Sequence, residues 1–155
     1  LDVPALVSLS GKLDDKSLVD LPKTNHITHH NESRSIFALA PDHWLICDTN
    51  ETPEALLAEV CIQFTEEPIA CADQSHAWSI LRLSGTCSAK TLSRLCPVDL
   101  HSSVFGKDML FQTNMGGIHV MCTRTANIDT SFDLYIPHSY SRSFYELLRD
   151  AIAIG

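Results

Sequence analysis

Val7-Ser8-Leu9-Ser10-Gly11 and Leu81-Arg82-Leu83-Ser84-Gly85 are two versions of one segment, and their recurrence decides how the chain is read. Each alternates apolar and polar residues, as a half-buried strand does. Each closes on a glycine and opens a polar stretch. A second pair recurs downstream in the same order. HWLICDTNETPEALLAEV, from His43 to Val60, answers FDLYIPHSYSRSFYELLRDAI, from Phe132 to Ile152. Trp44-Leu45-Ile46 stands against Leu134-Tyr135-Ile136, and Leu56-Leu57 against Leu147-Leu148. The chain reads as one strand–helix–strand–strand–helix pattern written twice, about 4–75 and about 76–155. Two copies make a duplicated compact domain, not a solenoid, which needs three or more repeats.

The remaining elements follow from punctuation and period. A first strand is expected over Pro4–Leu9, then one or two helical turns in KLDDKSLVDL. Residues 22–34, PKTNHITHHNESR, have no periodicity and read as an exposed loop. Strands at 35–40 and 43–48 flank the turn chemistry of Ala40-Pro41-Asp42. Thr52, Pro53 and Glu54 are a helix start, with a capping hydroxyl, a proline at the first helical position and an acid near the positive dipole end. Leu56, Leu57, Val60, Cys61 and Phe64 then repeat at helical spacing, and Pro68 ends the segment. Residues 77–83 alternate like a strand, with a central position in the sheet expected. A helix at about 87–96 stops at Pro97. Strands at about 109–115 and 118–124 meet at Gly116-Gly117, a favourable hairpin turn. A strand over 132–136 leads to a helix over 140–153, with Phe144, Leu147, Leu148, Ala151 and Ile152 on its core stripe. The class is α+β: duplicated ferredoxin-like βαββα halves, with helices packed on antiparallel sheets.

Composition narrows the function. The chain has 155 residues, 45% of them hydrophobic, enough for a real core in one domain. Its net charge is −8, with 11 Lys+Arg. There is no broad basic field for a phosphate backbone, so nucleic acid is not expected as a partner. No stretch approaches the roughly 20 apolar residues of a membrane span. LDVPALVSLSG lacks the basic start and unbroken apolar run of a secretory leader. Cysteines 47, 61, 71, 87, 96 and 122 form no Cys-x-x-Cys pair. They read as small buried hydrophobes in a reducing, cytoplasmic compartment.

Chemistry-bearing motifs are few. His26, His29 and His30 sit in a polar loop with no helix signal to align them, so no metal site is expected. Ser84-Gly85 lacks the Gly-x-Ser-x-Gly elbow of a hydrolase. Cys96 stands at a helix C-terminus, where the dipole raises a thiol pKa, the wrong direction for a nucleophile. No Gly-x-Gly-x-x-Gly follows a strand. No catalytic, cofactor-binding or metal residue is assigned on this chain, and a binding or scaffold role is expected.

Three segments carry a family resemblance: LAPDHWLIC (39–47), LRLSGTCSAKTLSRLCPVDLHSSVFG (81–106) and DLYIPHSYSRSFYELLRDA (133–151). Within them Pro41–Leu45, Leu83–Gly85, Cys96–His101 and Ser139–Ser143 resemble the motifs of the gamma subunit of heterotetrameric sarcosine oxidase. The resemblance implies a fold like the folate-binding domain of the glycine-cleavage T-protein. It implies a non-catalytic assembly subunit working with alpha, beta and delta subunits. Such a complex converts sarcosine to glycine, passes a formaldehyde unit to tetrahydrofolate and forms hydrogen peroxide. FAD, FMN, NAD, tetrahydrofolate and zinc would belong to the partner subunits, and none to this chain. Alternatives are a stand-alone folate-dependent aminomethyl-transfer module and a non-enzymatic regulatory domain. Trp44, His101, Phe105 and Tyr140 lie in the most family-like segments, near turns and element ends, and are the expected interface anchors.

Overall fold

The computed structural model describes residues 4–12, 21–124 and 131–154. The helical turns expected after Gly11 fall almost wholly on residues 13–20, outside the described residues. The chain divides into two compact units, Leu1–His76 and Ala77–Gly155.

The first unit contains β1 (Ala5–Gly11), β2 (Ile27–His29), β3 (Arg34–Ala40), β4 (His43–Asp48), α1 (Pro53–Gln63) and β5 (Ile69–Asp73). Its antiparallel sheet has the order β2-β3-β4-β1-β5. The register sets Leu9 and Ala38 against Trp44, and Val7 and Ile36 against Ile46. One face therefore carries the apolar row, with the Arg34–Asp48 pair at its end, and Leu56 and Val60 of α1 and Phe64 at its C-cap lie over it. Thr52 Oγ1 accepts from Ala55 N at 3.3 Å, capping the helix as its sequence directs. Asp42 turns β3 into β4 at φ 59°, a conformation that Asp tolerates.

The second unit contains β6 (Trp78–Ser84), α2 (Ser88–Leu92), β7 (Leu110–Met115), β8 (Ile118–Arg124), β9 (Ser131–Pro137), a 3-10 turn at His138–Tyr140, and α3 (Ser141–Ala153). Its order is β6-β9-β8-β7. The order β1-β4-β3-β2 has the same topology, so the duplication extends from sequence to strand neighbours. The glycines that end the two motif strands share positive φ, 147° at Gly11 and 121° at Gly85. Gly116 (φ 58°) and Gly117 (φ 89°) make the two-residue hairpin turn, and Gly117 N donates to Asn114 Oδ1 at 2.7 Å. Leu92, Phe132, Leu134, Ile136, Phe144 and Leu148 form the core.

Several details differ from expectation. The shared pattern has four strands per unit, because β2 sits inside the stretch read as a loop. β2 pairs with β3 through its backbone, from Ile27↔Phe37 to His29↔Ser35, and that pairing leaves no apolar period. β6 is an edge strand, not a central one. The α-helix of α2 stops at Leu92 and continues as turns to Leu95. Cys61 and Ile152 are exposed because each lies one position beyond a buried helical row.

A charged strut ties three elements of the first unit. Asp48 is 2% exposed and accepts from Arg34 Nε at 2.7 Å. The Arg34 fork also grips Glu59 Oε1 and Oε2 at 2.6 and 2.8 Å. Burial pushes the Asp48 carboxyl up, but backbone N–H bonds from Asn50 and Glu51 and the Arg34 guanidinium outweigh it and hold it below its ordinary value. The Arg34 hydrogen bond also lowers Glu59. With both folded pKa values depressed, their stabilisation is present above the ordinary carboxylate range and is lost as pH falls through the folded values. Arg34→Met is expected to cost about 3 kcal/mol at pH 7, the scale for stripping a buried charge of its partner, and clearly less at pH 3. Urea melting at both values checks this. Phe64→Ala, which empties the end of the α1 stripe, is expected to cost about 3–5 kcal/mol in the same assay.

Candidate partner-binding surface

The family-like run Cys96–His101 and the segment after it are held from beneath by one buried cation. Arg124, at the end of β8, is 6% exposed. Its Nε donates to the Phe105 carbonyl at 2.8 Å and its Nη2 to the Leu100 carbonyl at 2.6 Å. The guanidinium lies 4.8 Å from the Phe132 ring centroid and 5.6 Å from that of Phe105. Phe105 in turn meets Phe111 edge-to-face at 4.9 Å. These contacts pin Leu100 and Phe105 inward and leave His101–Val104 outside as a tight turn. Asp99 Oδ1 accepts from His101 N at 2.9 Å, and His101 Nδ1 pairs with Ser103 Oγ at 2.7 Å.

The four expected anchors therefore separate. Trp44 (9% exposed) belongs to the first core and Phe105 (3%) to the second, so neither ring offers a surface to a partner. Each aromatic stands near a turn, but Trp44 lies on the sheet face that α1 covers, and Phe105 packs against Phe111, Phe132 and Arg124. His101 and Tyr140 are exposed, Tyr140 at 52%. Sequence reasoning missed Val104 beside His101, and Tyr145 and Ile152 on α3, all at least half exposed. Tyr145 and Ile152 are seven residues apart and share one flank of α3, next to the core stripe. That spacing is legible in the sequence, but helical period alone places Ile152 on the stripe itself.

The polar groups are arranged for local structure. The Asp99–His101–Ser103 bonds close a turn, and the carboxylate reaches a backbone N–H, not the imidazole. His26 and His29 bond Thr24 O and Ser35 Oγ. Among the described residues no three His, Cys, Asp or Glu side chains cluster closely enough to hold a metal ion. A shallow depression of about 260 Å³ is lined by Leu83–Ser88, Thr91 and Ile152, smaller than the roughly 300–1,000 Å³ of small-molecule sites.

The cysteines divide by environment. Cys47, Cys96 and Cys122 are buried, Cys71 is half-buried, and Cys61 and Cys87 are exposed. Burial pushes the Cys96 thiol up, and burial pushes Cys122 well up. Cys71 is pushed up to about 11 by burial and by its hydrogen bond with the Cys61 thiol. Alkylation at pH 8, followed by peptide mapping, is expected to modify Cys87 first and Cys122 last.

No family profile matches the chain. A 96-residue stretch is 33% identical to sarcosine oxidase subunit gamma of Corynebacterium sp. (strain P-1), over 61% of this chain and 45% of that relative. The match thus spans about half the length of the curated relative. A chain of the heterotetrameric sarcosine oxidase from Corynebacterium sp. U-96, solved with pyrrole 2-carboxylate, superposes with a TM-score of 0.87. That superposition has 25% identity and covers 99% of this chain and 81% of that one. The glycine cleavage system aminomethyltransferase T from Bartonella henselae superposes with a TM-score of 0.63 at 16% identity, over 94% of this chain and 43% of that one, a likeness of fold alone. The resemblance to the sarcosine oxidase gamma subunit is thereby borne out, and so is the T-protein-like α+β fold. Among the described residues no helix is long and apolar enough to cross a membrane.

Proposed function

We propose that this chain, similar in sequence and fold to a sarcosine oxidase gamma subunit, is a non-catalytic assembly subunit of a sarcosine oxidase-type complex in the cytoplasm. The observation that carries the reading is the superposition on the heterotetrameric enzyme over 99% of the chain. The complex would convert sarcosine to glycine, pass the formaldehyde unit to tetrahydrofolate and form hydrogen peroxide. In this reading alpha, beta and delta subunits are the partners and hold FAD, FMN, NAD, tetrahydrofolate and zinc.

The part left to this chain is to present surface. His101 and Tyr140, with Val104, Tyr145 and Ile152, are exposed side chains of the second unit that its own core does not use. Aromatic side chains are the commonest dominant contacts of protein interfaces, at about 2 kcal/mol or more each. Phe105 supports the His101–Val104 turn from within.

Co-expression with the large subunits of the same genomic neighbourhood tests the reading. The chain is expected to co-purify with them in fixed stoichiometry. Tyr140→Ala is expected to weaken assembly by about 30-fold, the equivalent of about 2 kcal/mol, with unchanged thermal unfolding of the isolated chain. His101→Ala is expected to weaken assembly in the same direction. Free large subunits that assemble fully without this chain would overturn the proposal.

A further inference from the structure

The repeat offers an internal comparison. Val7 and Leu9 of β1 correspond to Leu81 and Leu83 of β6, through the Ser-Gly that ends each strand. Both pairs point to the core of their own unit. Val7 and Leu9 are 0% and 1% exposed. Leu81 and Leu83 are only partly buried.

The cause is the outer edge. Along β1 runs β5, antiparallel, with Leu9 opposite Cys71 and Gly11 opposite Ile69. β6 ends its sheet, and among the described residues no strand pairs with its other side. The glycines register the same difference. A Cβ on Gly11 would run into the Pro68 carbonyl oxygen at the start of β5, whereas one on Gly85 would meet nothing within 4 Å. The edge also lacks the usual guards against pairing. Trp78–Ser84 holds no proline, and its single charge, Arg82, is tied to Asp133 of the neighbouring strand at 2.6 Å.

We propose that the outer edge of β6 receives an extended strand from a partner subunit, antiparallel, with apolar side chains at alternate positions that complete the burial of Leu81 and Leu83. The occupant is specified by the sister unit, where β5 lies antiparallel on the equivalent edge and sends Ile69 and Cys71 to the core face. Backbone pairing supplies affinity in such an addition, and the alternate side chains supply choice. The inference rests on the assembly reading above.

Hydrogen exchange at single-amide resolution decides it, on the isolated chain at two concentrations and on the chain co-expressed with the large subunits. In the isolated chain, β6 amides facing β9 are expected to be protected and the intervening ones to exchange freely. In the complex, the intervening amides of Trp78–Ser84 are expected to slow by about 100-fold, while the edge amides of β7 do not. A complex that forms without this protection overturns the edge proposal and leaves the assembly reading standing. Failure of any complex to form overturns both. Protection already present in the dilute isolated chain means that the chain covers its own edge. Protection that grows with concentration alone means a second copy does. Either result overturns the proposal.

Discussion

Antiparallel pairing along the two motif strands is the constraint from which the rest of the structure follows. β1 on β4 sets Leu9 against Trp44, and β6 on β9 sets Leu83 against Phe132. Side chains alternate with a period of two, so a slip of one residue in either ladder would turn the whole apolar row to the other face. The correct register builds rows that cross each sheet: Val7 beside Ile46 and Ile36 in one unit, and Leu81 beside Leu134 and Cys122 in the other. α1 and α3 can dock only because those rows exist. The glycine that ends each motif strand lets the chain leave the ladder at positive φ, where an L side chain would be strained.

Each unit then places one charged group where it constrains a connection. In the first, buried Asp48 holds Arg34, which holds Glu59, so β3, β4 and α1 are mutually fixed. In the second, Arg124 holds two carbonyls of the segment between α2 and β7 and packs against two phenyl rings. A buried charge of this kind contributes little net stability over an apolar substitute, but removing its partner is costly. Its effect is to give an irregular segment one geometry. That is how His101 and Val104 are displayed outward while their immediate neighbours Leu100 and Phe105 are buried.

The regular parts of this architecture were legible in the sequence for physical reasons. Alternation marked β1, β6 and β8, Thr52-Pro53 marked the start of α1, and Gly116-Gly117 marked a hairpin, because each feature acts within a few residues. β2 and β5 were not legible. Ile27–His29 holds a single apolar residue, and Ile69–Asp73 is short, so backbone pairing with an existing strand defines both. The burial of Trp44 and Phe105 was illegible for a related reason. Trp44 and Phe105 stand near turns, but their burial depends on Ala38 and Leu9 across the sheet and on Arg124, partners distant in sequence. Tyr140 and His101 carry no local signal that separates them from the buried pair.

Among the described residues, what distinguishes the second unit from the first is that no strand pairs with the outer side of β6, and an assembly subunit is the kind of chain in which such an edge has a use. Its completion from outside would extend the same antiparallel logic across a subunit boundary, with Leu81 and Leu83 as the residues that gain most. The most direct measurement is a high-resolution structure of the assembled complex. The account predicts a partner strand running antiparallel to Trp78–Ser84 at about 4.8 Å, with both leucines fully buried. A β6 edge facing solvent in that structure, with the subunit boundary elsewhere, would contradict it.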